Sequence, residues 1–145
     1  VIWCPDPLWR GLPVTVSGRW GATDTGGLIY PLYDLTGMLT YSVDAPRNVV
    51  AVPNVGREAS WPVLTTDAAT EWMRFTSADR VVEMMHPTGP LVIDCRAGTA
   101  QTSDGDVSSW LTRDDFFKIP AGGADVSFQA SDPVGFSVEV APAWL

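Results

Sequence analysis

Apolar and polar positions alternate along the last third of the chain. Leu91, Ile93 and Cys95 fall on one side of an extended run, with Val92, Asp94 and Arg96 opposite. Val126, Phe128 and Ala130 share a face against Ser127, Gln129 and Ser131. Phe136, Val138 and Val140 share another against Ser137 and Glu139. Successive side chains of a strand point to opposite faces. A period of two with one polar side therefore predicts antiparallel strands, buried on one face and solvated on the other. Asp132-Pro133-Val134-Gly135 has turn composition.

Upstream the same signal is weaker. Val14 to Ser17, Met38 to Val43, Asn48 to Val52, and Trp61 to Thr65 each predict a short strand. Pro62 puts the last of these at a sheet edge or a strand start. Pro53-Asn54-Val55-Gly56 predicts a turn. Trp72 to Thr76 and Arg80 to Met85 flank the hairpin-length Ser77-Ala78-Asp79. Asp67 to Glu71 is long enough for one helical turn at most. No amphipathic helix is readable anywhere. About ten short strands separated by turn residues predict an all-β, antiparallel β-sandwich or barrel with little or no helix.

Two stretches break the pattern. Gly18 to Gly37 carries Gly18, Gly21, Gly26, Gly27, Pro31 and Gly37 among Trp20, Tyr30 and Tyr33. It predicts a long irregular loop, a feature often functional in a compact domain. Trp20, Tyr30 and Tyr33 are thus the candidate interaction residues. At the start, Val1 to Cys4 is β-prone and is stopped by Pro5-Asp6-Pro7. Pro5 to Pro13 predicts a stiff linker, so residues 1–13 lead into a domain of residues 14–145. An apolar start without Met suggests a piece of a longer polypeptide.

Length and composition fit this picture. The chain has 145 residues, enough for one domain with a sizeable core. Apolar residues make up 46% and charged residues 18%, which argues against disorder. The net charge of −8 argues against a nucleic-acid or anionic-membrane partner that needs a basic surface. No apolar run approaches the roughly 18 residues of a membrane span, and no signal peptide is visible.

Candidate chemistry is sparse. The chain has a single histidine, His86, which cannot build a zinc site without spaced partners. No G-x-S-x-G elbow places a nucleophile. Asp104-Gly105-Asp106 with Asp114-Asp115 is the densest carboxylate group, but it lacks calcium-loop spacing and reads as an acidic turn. Nothing marks a glycosidase pair. The two cysteines, Cys4 and Cys95, read as small buried hydrophobes, with a single bridge left open. Seven Trp raise sugar stacking as an alternative. The plainer reading has Trp61, Trp72, Trp110 and Trp144 filling the core. No catalytic residue, cofactor or metal is expected.

The order of these pieces resembles the C-terminal domain of siphovirus distal tail proteins. Leu91-Val92-Ile93-Asp94 resembles the family's strand ending in Ile-Asp. The Gly105 turn, the Phe116 to Gly123 turn, and the closing Val140-Ala141-Pro142-Ala143-Trp144 also match. Cys4 to Trp9 resembles the segment leaving the family's ring-forming domain. Asn54-Val55-Gly56 with Trp61-Pro62-Val63 resembles a further family stretch. Gly123-Ala124-Asp125 departs from the pattern, since members carry Asn soon after the Gly. The resemblance implies a galectin-like, jelly-roll-like sandwich on a non-enzymatic virion hub at the phage tail tip, made in the bacterial host cytoplasm. It also implies a hexameric ring that joins the tail tube to the tail-tip or fibre proteins. The alternative is a carbohydrate-binding module recognising host-surface glycans.

Overall fold

The computed structural model describes residues 7–21, 28–33, 39–41 and 48–145, the segments 28–33 and 39–41 through their backbone. Among the described residues, fifteen strands run in chain order: β1 (Trp9–Arg10), β2 (Val14–Trp20), β3 (Leu28–Tyr33), β4 (Leu39–Tyr41), β5 (Val49–Val52), β6 (Val63–Thr66), β7 (Trp72–Ser77), β8 (Arg80–Met85), β9 (Leu91–Asp94), β10 (Thr99–Thr102), β11 (Gly105–Asp106), β12 (Leu111–Asp114), β13 (Ala124–Ala130), β14 (Val134–Val140) and β15 (Ala143–Trp144). Among the described residues the sole helical element is a 3-10 turn, Ser108–Trp110, and no helix is long and apolar enough to cross a membrane.

The strands form a six-stranded sheet ordered β11-β10-β9-β6-β14-β2 and a five-stranded sheet ordered β12-β8-β7-β13-β5. All the pairings are antiparallel. The inner faces close on one core, and the expected alternation is met residue by residue. Leu91, Ile93 and Cys95 are buried, as are Val126, Phe128 and Ala130, and Phe136, Val138 and Val140. Phe75 lies opposite Phe128 across β7 and β13, with centroids 4.7 Å apart. Phe136 reaches from the other sheet to stack on Phe128, also at 4.7 Å. Three rings thus join the two layers.

Several expectations are corrected. The strand at Val14 does not stop at Ser17. All seven residues of β2 pair with β14, from Val14 opposite Val140 to Trp20 opposite Val134. The length of the partner strand overrides the loop-like composition of Gly18 to Trp20. Residues 28–33, read as irregular, form β3 and pair with β4 in a separate two-stranded sheet. Pro31 hides that strand from a propensity reading, yet it is tolerated where every strand is an edge. Within the expected linker, Trp9–Arg10 pair with Ala143–Trp144. Pro62 does precede a strand start, but β6 lies inside its sheet between β9 and β14. Asp67 to Glu71 form no helical turn. The expected strand Val1 to Cys4, and Cys4 itself, lie outside the described residues.

The four tryptophans expected in the core do not fill it. Trp61, Trp72 and Trp144 are half-buried and Trp110 is 45% exposed. Phe rings and aliphatic chains do the filling, because a large indole is seldom buried completely.

Two turns are fixed by backbone geometry. Gly123 N–H donates to the Pro120 carbonyl, and Gly122 sits at φ +89°, the left-handed third position of a type II turn. The β7–β8 hairpin turns through Ala78 at φ +53°, where a side chain crowds the backbone at a cost of about 1–2 kcal/mol.

Cys95 follows β9 and is 2% exposed. Burial pushes its thiol up to about 12, which leaves almost no thiolate to react. We expect Cys95 to resist iodoacetamide in the native protein and to label fully in denaturant, read by mass spectrometry of its peptide. Native labelling at the denatured rate would contradict this burial. The raised value fixes the sign of the alkaline response. The contribution is complete below the unfolded thiol's value and is lost as pH climbs toward about 12.

Candidate functional site

Several of the described titratable groups brace the fold. His86 is exposed directly after β8, at φ +55°, and its backbone N–H donates to the Glu71 carbonyl. Asp106 accepts from the hydroxyl of Ser108 at 2.5 Å and from its N–H at 2.8 Å. These bonds hold the Asp106 carboxyl below its ordinary range. They brace the turn after β11. Glu83 pairs across the β7–β8 ladder with Arg74, and that hydrogen bond lowers its pKa. Among the described residues no three His, Cys, Asp or Glu side chains gather as a metal site.

The surface is more informative than the acids. β1 and β15 form a ribbon in which Trp9 faces Trp144. Gly11 N–H donates to the Pro142 carbonyl at 2.8 Å. The Arg57 and Glu58 N–H groups both reach the Ala143 carbonyl, at 2.9 and 3.0 Å. Gly56 lies so close to the Ala143 backbone that a Cβ there would collide with it. Ala143 is buried at the centre of this clamp. Around it the large apolar side chains are bare: Trp9 is 79% exposed, Leu12 88%, Val55 73% and Leu145 86%. A hydrogen-bonded ribbon flanked by such side chains has the character of a protein contact surface.

Buried Asn54 anchors the clamp. Its Nδ2 donates to the carbonyls of Glu58 and Ile119, each at 2.9 Å, and its Oδ1 accepts from Gly56 N–H at 3.0 Å. Its own carbonyl accepts from Gly122 N–H at 2.8 Å. One amide thus ties the loop after β5 to the segment before β13.

The three predicted interaction residues are split between two places. Trp20 ends β2, is half-buried and packs against the core. Tyr30 and Tyr33 lie on β3, with Tyr33 opposite Leu39 of β4, and their side chains are outside the described part. The β3–β4 pair occupies the connection from β2, at the edge of one sheet, to β5, at the edge of the other. The sequence reading missed Trp9, Leu12 and Leu145. Only Leu12 carries a local signal, a bulky apolar residue set between Gly11 and Pro13.

No protein-family model and no curated protein matches the sequence. Among solved structures, the chain is similar to the Dit protein (gp 19.1) of SPP1, described as a paradigm of the hub adsorption apparatus in phages infecting Gram-positive bacteria. The similarity covers 98% of this chain at a TM-score of 0.67, with 14% sequence identity. The chain spans 51% of the length of that protein. At this identity the likeness is one of architecture, and this chain has a tail-hub-like β-sandwich fold.

Proposed function

We propose that this domain is a non-enzymatic structural part of a phage tail. In this reading it is the galectin-like outer domain of a distal tail hub, located at the tail tip of the virion. It works by binding, joining the tail tube to tail-tip or receptor-binding proteins. Its hub assembles as a ring, six-membered by the family resemblance, and residues 1–13 carry the chain from the ring domain into the sandwich.

The observation that carries this reading is the match of nearly the whole chain to a hub adsorption protein at a TM-score of 0.67. The ribbon around Ala143 supports it, because four exposed apolar side chains on a clamped backbone suit permanent contact with a neighbour. The test is the mass and symmetry of the natural full-length protein, by mass photometry and negative-stain microscopy. Sixfold rings with this domain at the periphery are expected. A monomer at micromolar concentration would overturn the hub reading. Within the ring, replacing Trp9 and Leu12 by Ser should weaken docking of neighbouring tail proteins in pull-downs. The sandwich itself should stay folded, since both side chains are already in solvent.

A further inference from the structure

We infer that the recess beneath the β7–β8 turn is a binding site for an anionic saccharide, a sugar ring bearing a carboxylate or a phosphate. The recess has a volume of ≈ 500 Å³, within the range of small-molecule sites. Its walls include Trp61, Phe116 and Phe117, and its cations are Arg80 and Lys118. The ammonium of Lys118 stands 4.9 Å from the centroid of the Trp61 ring. A charge resting on an indole is restrained in place rather than spread over solvent.

Charge makes this recess unusual for the molecule. The protein carries −8 overall, yet no carboxylate lines this space. Asp79 and Asp125 adjoin Arg80 and Ala124 in sequence but do not contribute to the walls. Among the described residues Arg74 pairs with Glu83 and Arg113 with Asp115. The groove over β2 and β14 holds Arg19 together with Asp67. Two cations left to one cavity, with aromatic walls, match an anion on an apolar-faced ring.

The scaffold around the recess supports the same reading. Arg80 is displayed by the hairpin whose turn contains left-handed Ala78, itself a wall residue. Ser77 is buried and donates to the Asp125 carbonyl at 3.2 Å, leaving its oxygen able to accept a sugar hydroxyl. A single anion on a polyol also meets less repulsion from an acidic protein than a run of Asp and Glu would. An acidic peptide is therefore the weaker fit. The site does not depend on the tail reading.

The test is amide and indole NMR of the purified protein titrated with galactose 6-phosphate and with trigalacturonate. The Trp61 indole and the backbone at Phe117 and Lys118 should shift with either or both. Arg80→Gln and Lys118→Gln should each weaken binding about tenfold, the size of one lost charge-assisted hydrogen bond. Both side chains are exposed, so the rest of the spectrum should be unchanged in the variants. Neutral galactose should fail. The proposal is overturned if neither anionic sugar shifts these signals, if galactose does as well, or if the Gln variants bind unchanged. Equal binding of inorganic phosphate would mean an adventitious ion only. Tighter binding of a hexaglutamate peptide would assign the recess to acidic protein segments instead.

Discussion

Phe128→Ala should lower the free energy of unfolding by about 3–5 kcal/mol, the range for deleting a buried aromatic ring. Phe128 is fully buried on β13 and touches a ring from each layer. Its loss removes the contact with Phe75 in its own sheet and the stack with Phe136 in the opposite one. The cavity then opens at the seam between the sheets, where neither can collapse without moving the other. A domain of this size has about 5–15 kcal/mol in total, so the variant should unfold in far less urea and sit close to its melting transition when warmed. Phe128→Leu keeps most of the volume and should cost less. Urea denaturation followed by circular dichroism measures both. A loss below about 1 kcal/mol for the Ala variant would mean that the three rings are not the joint between the layers.

Asn54→Ala should cost about 3 kcal/mol, an effect no inspection of a turn residue would suggest. Three hydrogen bonds disappear at once. They leave the Ile119 and Glu58 carbonyls and the Gly56 N–H without that partner, and a buried group left unpaired costs about 1–3 kcal/mol. The damage should spread along the clamp. Gly56 bears on Ala143, and the next two N–H groups hold the Ala143 carbonyl. Hydrogen exchange at Arg57 and Glu58 should therefore accelerate more than exchange in β7 or β13. Asn54→Asp separates geometry from chemistry. A carboxylate oxygen would face two carbonyls where the amide donated, so this variant should be at least as unstable near neutrality. Part of the loss should return in acid, as the carboxyl gains a proton to donate. Uniform acceleration of exchange across the domain would sink the clamp as a local unit.

The sandwich was readable because most of its strands have one wet face. Leu91 to Cys95, Val126 to Ala130 and Phe136 to Val140 declare their registers through alternation alone, and each is buried as that pattern requires. The reading failed where structure depends on distant partners. Gly18 to Trp20 become strand because β14 is long enough to hold them. Asn54 matters because Ile119, 65 residues away, brings it a carbonyl. The ribbon surface is invisible locally, since Trp9 and Ala143 are ordinary apolar residues until β1 meets β15. The recess is equally non-local. Trp61, Arg80 and Lys118 come from three separate segments, and only the fold reveals that no carboxylate accompanies the cations.

The pairing of Trp9 with Trp144 has one more consequence. β1 and β15 stand side by side as two neighbouring strands about 5 Å apart. Such a fold can be spliced as a cassette into a surface loop of an unrelated host, which need part by no more than one strand spacing to admit it. The same pairing permits rewiring. A short linker could join the outer ends of β1 and β15, and new termini could be opened at the exposed Ala78-Asp79 turn. Strand order along the sequence would change, while each rung of both sheets kept its neighbour.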